Sequence, residues 1–455
     1  MFIDSHAHLY FDSYDEDRDE VLKRAQDEKV KYIINIGIDI ETSYRCVELA
    51  EKHTGLFASA GVHPNDAVKY DKDTAGELTE LIRNDKVVAV GEIGLDYYRD
   101  RAPKDVQIKV FSEQLKIAED NNMPVIIHIR NAWEDVEEVI ENAVNWNVRG
   151  VFHCYSGDLE TAKRLIKKKF LISFGGYITF NNYKNTDLLV GIPIEKMLIE
   201  TDSPFLTPMP FRGKRNEPAY VKFVAQRLAD LKGLNLEDIG RVTAFNTNRL
   251  FGIAPEMEDP KIVYQIRDSL YINPTNRCTS DCVFCARLID PVVKGHNLKI
   301  SDEPTAEEAI EAVGDPKQYR EIVFCGYGEP TLRLEFIKQV AGWVKEHNVP
   351  VRLNTNGHGN LIHSRNIVAE LKGLIDEVSV SLNTHDPEQY QKIMRTEYGS
   401  QSFNAMLDFI KKSKEAGMKT VISVVDIPGL DMKKTGQLAE KTGAELRIRK
   451  YNETG

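Results

Sequence analysis

The sequence predicts an α/β protein with two domains, an N-terminal (β/α)8 TIM barrel and a C-terminal partial (β/α)6 barrel. Short apolar runs alternate with amphipathic segments along the 455 residues, eight in the first half and six in the second. An open doubly wound sheet would produce the same alternation. Polar side chains follow one apolar run after another in the first half, and this favours a closed barrel, whose strand ends converge on one face.

Each predicted strand of the first domain is a short apolar run. In order they are Phe2–His6, Tyr32–Gly37, Leu56–Val62, Val87–Ile93, Val125–Ile129, Gly150–His153, Phe170–Phe174 and Met197–Thr201. The segments between them are amphipathic, and Asp105–Asn121 repeats apolar residues at helical spacing. We therefore expect helices between the strands.

The segment Ile253–Pro260 (IAPEMEDP) contains two prolines, three acids and little periodicity, which is typical of a linker. We assign residues 1–253 to the first domain, 254–261 to the linker and 262–455 to the second domain. The predicted strands of the second domain are Ser269–Asn273, Glu321–Cys325, Val351–Asn354, Glu377–Leu382, Thr420–Val425 and Glu445–Arg449. Six strands of this spacing fit a partial barrel or an open parallel sheet.

Composition excludes several classes of protein. The 59 Lys and Arg residues against 70 Asp and Glu give a net charge of −11, which argues against a broadly basic nucleic-acid-binding surface. The N-terminus lacks the basic and apolar regions of a signal peptide, and no apolar run is long enough for a transmembrane helix. Six cysteines are too few for a disulfide scaffold in a chain of this length. We expect a cytoplasmic protein without a membrane partner.

Side chains of metal-ligand type stand at or just after the ends of six predicted strands in the first domain. They are His6, His8, His63, Glu92, His128, His153 and Asp202. A lone histidine, or an Asp before Ser-Pro, is usually a turn or cap residue. Because the positions recur at successive strand ends, they favour a site for divalent ions such as zinc or manganese.

The motifs DSHAHL, GVHP, GEIGLDYY, IIHIR, FHCYSG, ETDSPFL and RGKRNEP, in this order, resemble the TatD family of metal-dependent deoxyribonucleases. The resemblance implies two divalent ions and 3′–5′ exonuclease-like hydrolysis of phosphodiesters in DNA or a nucleotide-type substrate. It implies that one ion is held by His6, His8, Glu92 and Asp202. It also implies that Glu92 bridges to a second ion held with His128 and His153, with His63 near the scissile phosphate.

Two paired ions can activate water and bind the phosphoryl oxygens of an in-line displacement, and Asp202 is placed to accept the proton of that water. The loop after the last strand carries Arg212, Lys214 and Arg215 within four residues. Such a loop is either a solvated surface or a set of phosphate contacts, and its place after Asp202 favours phosphate. Arg130, two residues beyond His128, is a weaker candidate of the same kind.

The second domain contains a C-x3-C-x2-C run at Cys278, Cys282 and Cys285. Three closely spaced thiolates can bind three irons of a [4Fe–4S] cluster and leave the fourth iron open. A three-ligand zinc site or three reduced thiols without a ligand are the alternatives.

This run, with Phe284 before its last cysteine, resembles the radical S-adenosylmethionine (SAM) superfamily. The resemblance implies one [4Fe–4S] cluster, SAM as cofactor, hydrogen abstraction from a substrate that the sequence does not name, and an electron donor such as flavodoxin or ferredoxin. The turn Gly326-Tyr327-Gly328-Glu329-Pro330 is similar to the superfamily's Gly-Gly-Glu-Pro turn, with a tyrosine interposed. The implied cofactor-binding residues are Gly328, Glu329, Pro330, Asn354, Asn356, Ser381 and Asn383.

The expected protein is therefore a bifunctional enzyme, a metal-dependent deoxyribonuclease fused to a radical SAM enzyme. Two alternatives remain open. The metal site could act as an amidohydrolase or esterase on a small molecule, coupled to the radical step. Alternatively, one half could be a non-catalytic binding module, although the complete ligand sets in both halves argue against this.

Overall fold

The computed structural model describes residues 1–99, 101–142, 147–255, 259–285 and 291–450. The chain divides into two compact units, Met1–Met257 and Glu258–Gly455. Part of the predicted linker, residues 256–258, lies outside the described residues, so the predicted boundaries at 253 and 262 stay predictions.

The first unit is built on a sheet of eight parallel strands that follow one another in chain order. The strands are β1 (Phe2–Ala7), β2 (Val30–Ile36), β3 (Leu56–Ala60), β4 (Val87–Asp96), β5 (Val125–Arg130), β6 (Gly150–Phe152), β7 (Phe170–Phe174) and β8 (Met197–Ile199). A parallel bridge between Ala7 and Ser203 joins the two ends of the sheet, and the His8 amide donates to the Ser203 carbonyl at 2.8 Å. The predicted (β/α)8 barrel is confirmed.

Helices follow these strands with their apolar faces buried. They are α1 (Arg18–Asp27), α2 (Ile40–Lys52), α3 (Lys72–Leu81), α4 (Lys104–Asp120), α5 (Trp133–Asn142), α6 (Leu159–Lys167), α7 (Thr186–Gly191), α8 (Val221–Lys232) and α9 (Leu236–Phe251). Helix α4 corresponds to the amphipathic segment expected at 105–121, and its Phe111 and Leu115 are buried in the core. Side chains fix several helix starts; Asp39, for example, accepts from the amide of Thr42 in a capping box.

The second unit contains a seven-stranded sheet in the order β17-β16-β15-β14-β13-β10-β9. Its strands are β9 (Val263–Ile266), β10 (Ser269–Ile272), β13 (Glu321–Phe324), β14 (Val351–Thr355), β15 (Glu377–Ser381), β16 (Lys419–Asp426) and β17 (Glu445–Lys450), and a separate hairpin joins β11 (Val292–Val293) to β12 (His296–Asn297). The six predicted strands are present and parallel. Strand β9, which the sequence did not predict, pairs antiparallel with β10.

The helices of the second unit are α10 (Ala306–Val313), α11 (Leu334–Glu346), α12 (Gly359–Ile362), α13 (Ile367–Leu371), α14 (Pro387–Met394), α15 (Gln401–Glu415) and α16 (Met432–Thr442). Within the described residues, the edge strands β17 and β9 do not pair with each other, so the barrel is partial, as predicted. A core that includes Phe324, Ile337 and Phe409 lies between the helices and the sheet. Throughout the described part of the chain, no helix combines the length and apolar character needed to cross a membrane.

Candidate functional site

The metal-ligand side chains of the first unit meet at the C-terminal end of the barrel. His6 and His8 are two residues apart at the end of β1, so both side chains point to the same side of the sheet. Asp202 follows β8 in the left-handed region, with φ of 54°, and its amide donates to the His6 carbonyl at 2.9 Å. This backbone contact brings the Asp202 carboxylate to the two histidines.

One group of ligand atoms surrounds one oxygen of Glu92. The Nε2 atoms of His6 and His8 are 3.2 Å apart, and Glu92 Oε2 lies 3.6 Å and 3.9 Å from them, respectively. Asp202 Oδ1 lies 3.7 Å from His6 Nε2 and 3.4 Å from His8 Nε2. Four potential ligand atoms therefore face one another.

A second group surrounds the other oxygen of Glu92. Glu92 Oε1 lies 2.8 Å from His128 Nδ1 and 2.9 Å from His153 Nε2, and these two nitrogens are 3.1 Å apart. His63 Nε2 lies 3.6 Å from the same oxygen. The two oxygens of one carboxylate thus face different ring nitrogens. The two groups adjoin each other, because the His6 and His153 rings stack at 4.0 Å and, with Asp202, offer a further set of possible ligand atoms.

Neighbouring acceptors orient these rings. The Ile36 carbonyl lies 3.0 Å from His8 Nδ1, which places a proton on Nδ1 and leaves the lone pair on Nε2 facing the site. Asp96 Oδ2 lies 3.4 Å from His128 Nε2, and Glu200 Oε1 lies 3.5 Å from His153 Nδ1. Neither acid was predicted as part of the site, although both lie in motifs that resemble the TatD family, Asp96 in GEIGLDYY and Glu200 in ETDSPFL.

Burial governs the protonation of the site. Burial lowers the pKa of His63 to about 3 and holds the pKa of His6 well below its usual value, so both rings are neutral near pH 7. Burial opposes the charge of Glu92, but the neighbouring histidines outweigh it and keep the pKa of this carboxyl well below its usual range. Burial opposes the charge of His128 and His153, but contacts with Asp96 and Glu92 raise the pKa of His128, and contacts with Glu92 and Glu200 raise the pKa of His153, so these two rings must lose a proton when an ion binds. Imidazoles around a buried carboxylate are a donor set that divalent ions take, so the residues fit the metal that was predicted.

The predicted phosphate contacts differ in their surroundings. Arg215 donates to both oxygens of Asp17 at 2.8 Å and 2.7 Å and stacks on the Tyr14 ring, so its guanidinium already has partners. Arg212 is exposed and lies over the Phe180 ring at 4.2 Å, and Lys214 is exposed as well. Arg130 is exposed at the end of β5. A phosphate contact stays a prediction for all four, and for Arg215 it requires release from Asp17.

In the second unit, the residues predicted to bind the cluster and cofactor line one cavity of about 590 Å³, a volume typical of small-molecule sites. They are Cys278, Cys282, Cys285, Gly328, Glu329, Pro330, Asn354, Asn356, Ser381 and Asn383. The cavity is also lined by Arg352, Arg447 and Arg449, which were not predicted as site residues.

The cysteine loop is held to the barrel by its backbone. The Val283 amide donates to the Ile393 carbonyl at 2.9 Å, and the Cys285 amide donates to the Cys282 carbonyl at 2.9 Å. Burial, followed by the neighbouring thiols of Cys285 and Cys278, raises the pKa of Cys282. Three thiols whose charges disfavour one another need a cation to become thiolates, so the loop fits an iron cluster.

Glycine is required beside this loop. A Cβ at Gly328 would lie 2.1 Å from the Arg277 carbonyl oxygen, and one at Gly326 would lie 1.9 Å from Asn273 Oδ1. The Glu329 amide donates to the same Arg277 carbonyl at 2.8 Å. The glycines therefore let the turn after β13 pack against the segment that leads into the cysteine loop.

The buried carboxylate of Glu329 has protein partners. It accepts from the hydroxyls of Thr331 and Thr355 at 2.6 Å and 2.7 Å, and from the amide of Asn356 at 2.8 Å. Burial raises the pKa of Glu329, and these hydrogen bonds oppose the rise. The side chain thus joins the ends of β13 and β14, and the predicted role of this turn in cofactor binding stays a prediction.

Two predicted asparagines also brace the cavity. The amide nitrogen of Asn356 lies 3.1 Å from the hydroxyl of Thr279, in the cysteine loop. Asn383 Oδ1 accepts from the amide of Val425 at 3.1 Å. Their predicted role in cofactor binding stays a prediction.

The two units are similar to different families of known proteins. The sequence profile of the TatD related DNase family matches residues 3–252, and that of the radical SAM superfamily matches residues 272–441. The metal-dependent hydrolase YabD of Bacillus subtilis is 45% identical over 254 residues, which are 56% of this chain and 100% of YabD. The 3′-5′ ssDNA/RNA exonuclease TatD of Escherichia coli K12 is 33% identical over 254 residues, covering 54% of this chain and 98% of the exonuclease.

Among solved structures, YJJV, a TatD homologue from Escherichia coli K12, superposes with a TM-score of 0.53 at 32% identity, covering 55% of this chain and 98% of that chain. These families imply divalent metals in the first unit, and an iron–sulfur cluster with SAM in the second. Both units are of enzymatic families. The chain belongs to the TatD related DNase family and joins this metal-dependent hydrolase domain to a radical SAM domain.

Proposed function

We propose that the first unit is a dinuclear metal-dependent phosphodiesterase that acts on nucleic-acid 3′ ends. The observation that carries this proposal is that the two carboxylate oxygens of Glu92 face different histidines. Oε2 faces His6 and His8, and Oε1 faces His128 and His153. A carboxylate in this position can bridge two ions, which a site with a single ion does not need.

Two bound ions supply an activated water and bind the oxygens of the scissile phosphate. His6, His8 and Asp202 would hold one ion, and His128 and His153 the other, with Glu92 shared. The Asp202 carboxylate is 15% exposed, so it can accept a proton from the attacking water and release it to solvent. The Asn65 amide donates to His63 Nδ1 at 3.1 Å, so the neutral ring carries its proton on Nε2 and can donate a hydrogen bond that orients the phosphate.

The experiment that tests this proposal compares hydrolysis of a single-stranded oligonucleotide with that of a small amide, lactone or aminoacyl ester by the metal-loaded full-length protein. Release of mononucleotides from the 3′ end, with about two ions per chain, supports the proposal. Hydrolysis of the small substrate alone would replace it with the amidohydrolase or esterase alternative. The names of the relatives, an exonuclease and several metal-dependent hydrolases, favour the first outcome.

We further propose that the second unit binds one [4Fe–4S] cluster at Cys278, Cys282 and Cys285 and cleaves SAM reductively. When bound, the cluster and SAM supply a carbon radical that abstracts hydrogen from a substrate. The backbone of Gly328–Pro330 and the polar ends of β14 and β15 orient the cofactor within the cavity. The requirement for reduced thiols favours a cytoplasmic location.

Anaerobic reconstitution followed by reduction tests the second proposal. Formation of 5′-deoxyadenosine and methionine from SAM, first with dithionite and then with flavodoxin or ferredoxin, is the expected result. Absence of both products from a protein that holds about four irons per chain would leave the second unit as a binding module.

A further inference from the structure

Basic side chains outnumber acidic ones in the cavity of the second unit. Among its described lining residues, Lys294, Arg352, Arg447 and Arg449 are basic, and Glu329 is acidic. The Glu329 carboxylate is buried and already accepts hydrogen bonds from two threonines and a backbone amide of the protein. The described lining therefore carries a surplus of positive charge.

Arg352 shows how an arginine in this cavity is paired when its role is structural. It is buried on β14, and its Nε and Nη2 donate to the two carboxylate oxygens of Glu321 at 3.1 Å and 3.0 Å. Its Nη2 also lies 3.3 Å from the hydroxyl of Tyr271. Buried arginines are normally paired in this way, so Arg352 does not explain the surplus of charge.

Arg447, on β17, has a weaker partner. Its Nη2 lies 3.7 Å from Oε1 of Glu377, which is beyond the distance of a hydrogen bond. The other oxygen of Glu377 accepts from Lys419 Nζ at 2.9 Å, so this carboxylate already has a closer cation. The charge of Arg447 is therefore only partly compensated within the protein.

Arg449 has no acidic partner in the described part of the chain. The titratable groups that act on it are Cys325, Arg447 and Tyr271, and none of them is a carboxylate. Arg449 is exposed to solvent on one side, yet burial by the surrounding protein lowers the pKa of its guanidinium. A guanidinium that faces a cavity without a carboxylate is suited to an oxyanion, because it offers parallel N–H donors.

The strand that carries these two arginines places them together. Arg447 and Arg449 are two residues apart on β17, so their side chains are on the same face of the sheet. Arg447 is paired in register with Ser423 of β16, which is paired with Ser381 of β15, and all three line the cavity. Guanidinium and hydroxyl donors thus follow one another across three neighbouring strands.

This row of donors lies away from the cysteine loop. The loop follows β10, and β17 is five strands from β10 in the order of the sheet. The predicted cofactor contacts follow β13, β14 and β15, so β17 lies beyond them at the edge of the sheet. The two arginines are therefore placed for a second molecule beside the cofactor.

We propose that Arg447 and Arg449 bind an oxyanion of the substrate of the radical reaction, either a carboxylate or a phosphate monoester. This inference rests on the proposed radical function of the second unit and names the class of its substrate. SAM carries a positive sulfonium, which a substrate anion complements. The cavity of about 590 Å³ has to hold SAM as well, so the substrate is a small molecule or the charged end of a larger one.

The test uses the full-length protein with its cluster reconstituted without oxygen and with SAM added. Phenylglyoxal reacts with arginine side chains that are not engaged by an anion, and mass spectrometry measures the reaction of each arginine. The reaction is followed without added anion, with inorganic phosphate and with acetate, and sodium chloride keeps the ionic strength equal. The phosphate and acetate arms distinguish a phosphate monoester from a carboxylate.

Arg449 should react in the absence of an added anion, and phosphate or acetate should slow its reaction about 10-fold. Arg352 should react slowly under all conditions, because Glu321 engages both of its donor groups. The exposed Arg320, which is outside the cavity lining, is the internal control. Its reaction should be the same with and without the anions.

Removal of one arginine should weaken binding of the anion by the other. In Arg447→Gln, the concentration of anion that half-protects Arg449 should rise about 10-fold, because one of the two guanidiniums is lost. Arg320→Gln removes the same charge outside the cavity and should leave that concentration unchanged. Iron content should equal that of the wild type in both variants.

Four outcomes would overturn the inference and leave the radical function intact. They are a lack of protection of Arg449 by either anion, equal protection of Arg320, no reaction of Arg449 even without SAM and anion, and full protection by SAM alone. The last outcome would assign the arginines to the carboxylate of the cofactor. The formation of 5′-deoxyadenosine is measured on the same preparation, and its absence from cluster-loaded protein would overturn the radical function itself.

Discussion

Glu92 Oε1 lies 2.9 Å from Nε2 of His153, and both atoms are buried. A carboxylate oxygen and a ring nitrogen that each offer a lone pair do not approach this closely unless a proton or a metal ion joins them. The other oxygen of Glu92 faces a different pair of histidines, His6 and His8, at 3.6 Å and 3.9 Å. The arrangement makes Glu92 the residue on which both proposed metal positions depend.

Glu92→Gln should therefore reduce the metal content from about two ions per chain to one or fewer and lower hydrolysis more than about 100-fold. The amide has one oxygen and no charge, so it cannot bridge two ions. Metal analysis and a nuclease assay on the same preparation measure both effects. His63→Ala is the comparison, and it should keep more of its metal, because the residues proposed to hold the two ions all remain in place. Wild-type hydrolysis in Glu92→Gln would mean that the site has been assigned wrongly.

Glu200 is expected to act through His153 and not on the substrate. Glu200 is fully buried, accepts from the Cys154 amide at 2.6 Å, and lies 3.5 Å from His153 Nδ1. Glu200→Gln can keep the contact with the amide but loses the charge that favours a proton on Nδ1. Affinity for the ion proposed to be held by His128 and His153 should fall about 10- to 100-fold.

Titration of the metal-free protein with zinc or manganese, followed by activity, measures this effect. Excess metal should restore most of the activity of Glu200→Gln, whereas it should not restore that of Glu92→Gln. The exposed Glu160→Gln on α6 is the control for loss of a carboxylate. An unchanged metal affinity in Glu200→Gln would remove Glu200 from the metal centre.

Two arginines of the basic loop after β8 are expected to have different roles. Arg212 should contact the substrate, and Arg215 should form a structural ion pair. Arg212→Ala should raise KM for oligonucleotides and reduce the slope of log affinity against log salt by about one, as expected for one lost phosphate contact. Arg215→Ala should instead lower the free energy of unfolding by about 1 kcal/mol or less, because its pair with Asp17 is partly exposed. Binding at several salt concentrations and denaturant unfolding distinguish the two. The reverse pattern would assign the phosphate contact to Arg215.

The strands and the ligands were predictable because both depend on local patterns. An apolar run that ends in His6-x-His8 or in Glu92 indicates the strand and the ligand in one stretch of sequence. Strand β9 was missed because Val263–Ile266 directly follows the Pro-rich linker and is short. It is joined to β10 by a turn in which Arg267 has a positive φ of 56°, a conformation that arginine rarely adopts.

Contacts between distant parts of the chain could not be predicted. Arg215 pairs with Asp17, which lies 198 residues earlier. The sequence alone does not reveal this partner, and Arg215 was therefore predicted to contact phosphate. The predicted role of Glu329 in cofactor binding stays a prediction, but the sequence could not show that its carboxylate accepts hydrogen bonds from Thr355 and Asn356 at the end of the next strand. In both cases a polar side chain has a partner that only the folded chain brings near.

Gly328→Ala tests the packing beside the cysteine loop. The added Cβ would lie 2.1 Å from the backbone oxygen of Arg277, which cannot move aside without shifting Cys278. Iron content after reconstitution and formation of 5′-deoxyadenosine should both fall several-fold. Gly342→Ala in α11 is the matched control, because no atom lies within 4 Å of its added Cβ and alanine favours a helix. Full cluster loading of Gly328→Ala would contradict the role given to the turn.

The chain is proposed to carry two catalytic centres with separate ligand sets, and Cys285→Ala tests this proposal most directly. The variant and the wild type are reconstituted without oxygen, and iron, divalent metal, 5′-deoxyadenosine and 3′-end hydrolysis are measured on each. We expect Cys285→Ala to lose the cluster, about four irons in the wild type, and to form no 5′-deoxyadenosine. It should keep nearly all of its divalent metal and hydrolysis, because the ligands of that site come from residues 6 to 202. Loss of hydrolysis in Cys285→Ala with the barrel still folded would contradict the claim, as would a wild type that holds the cluster and forms no 5′-deoxyadenosine.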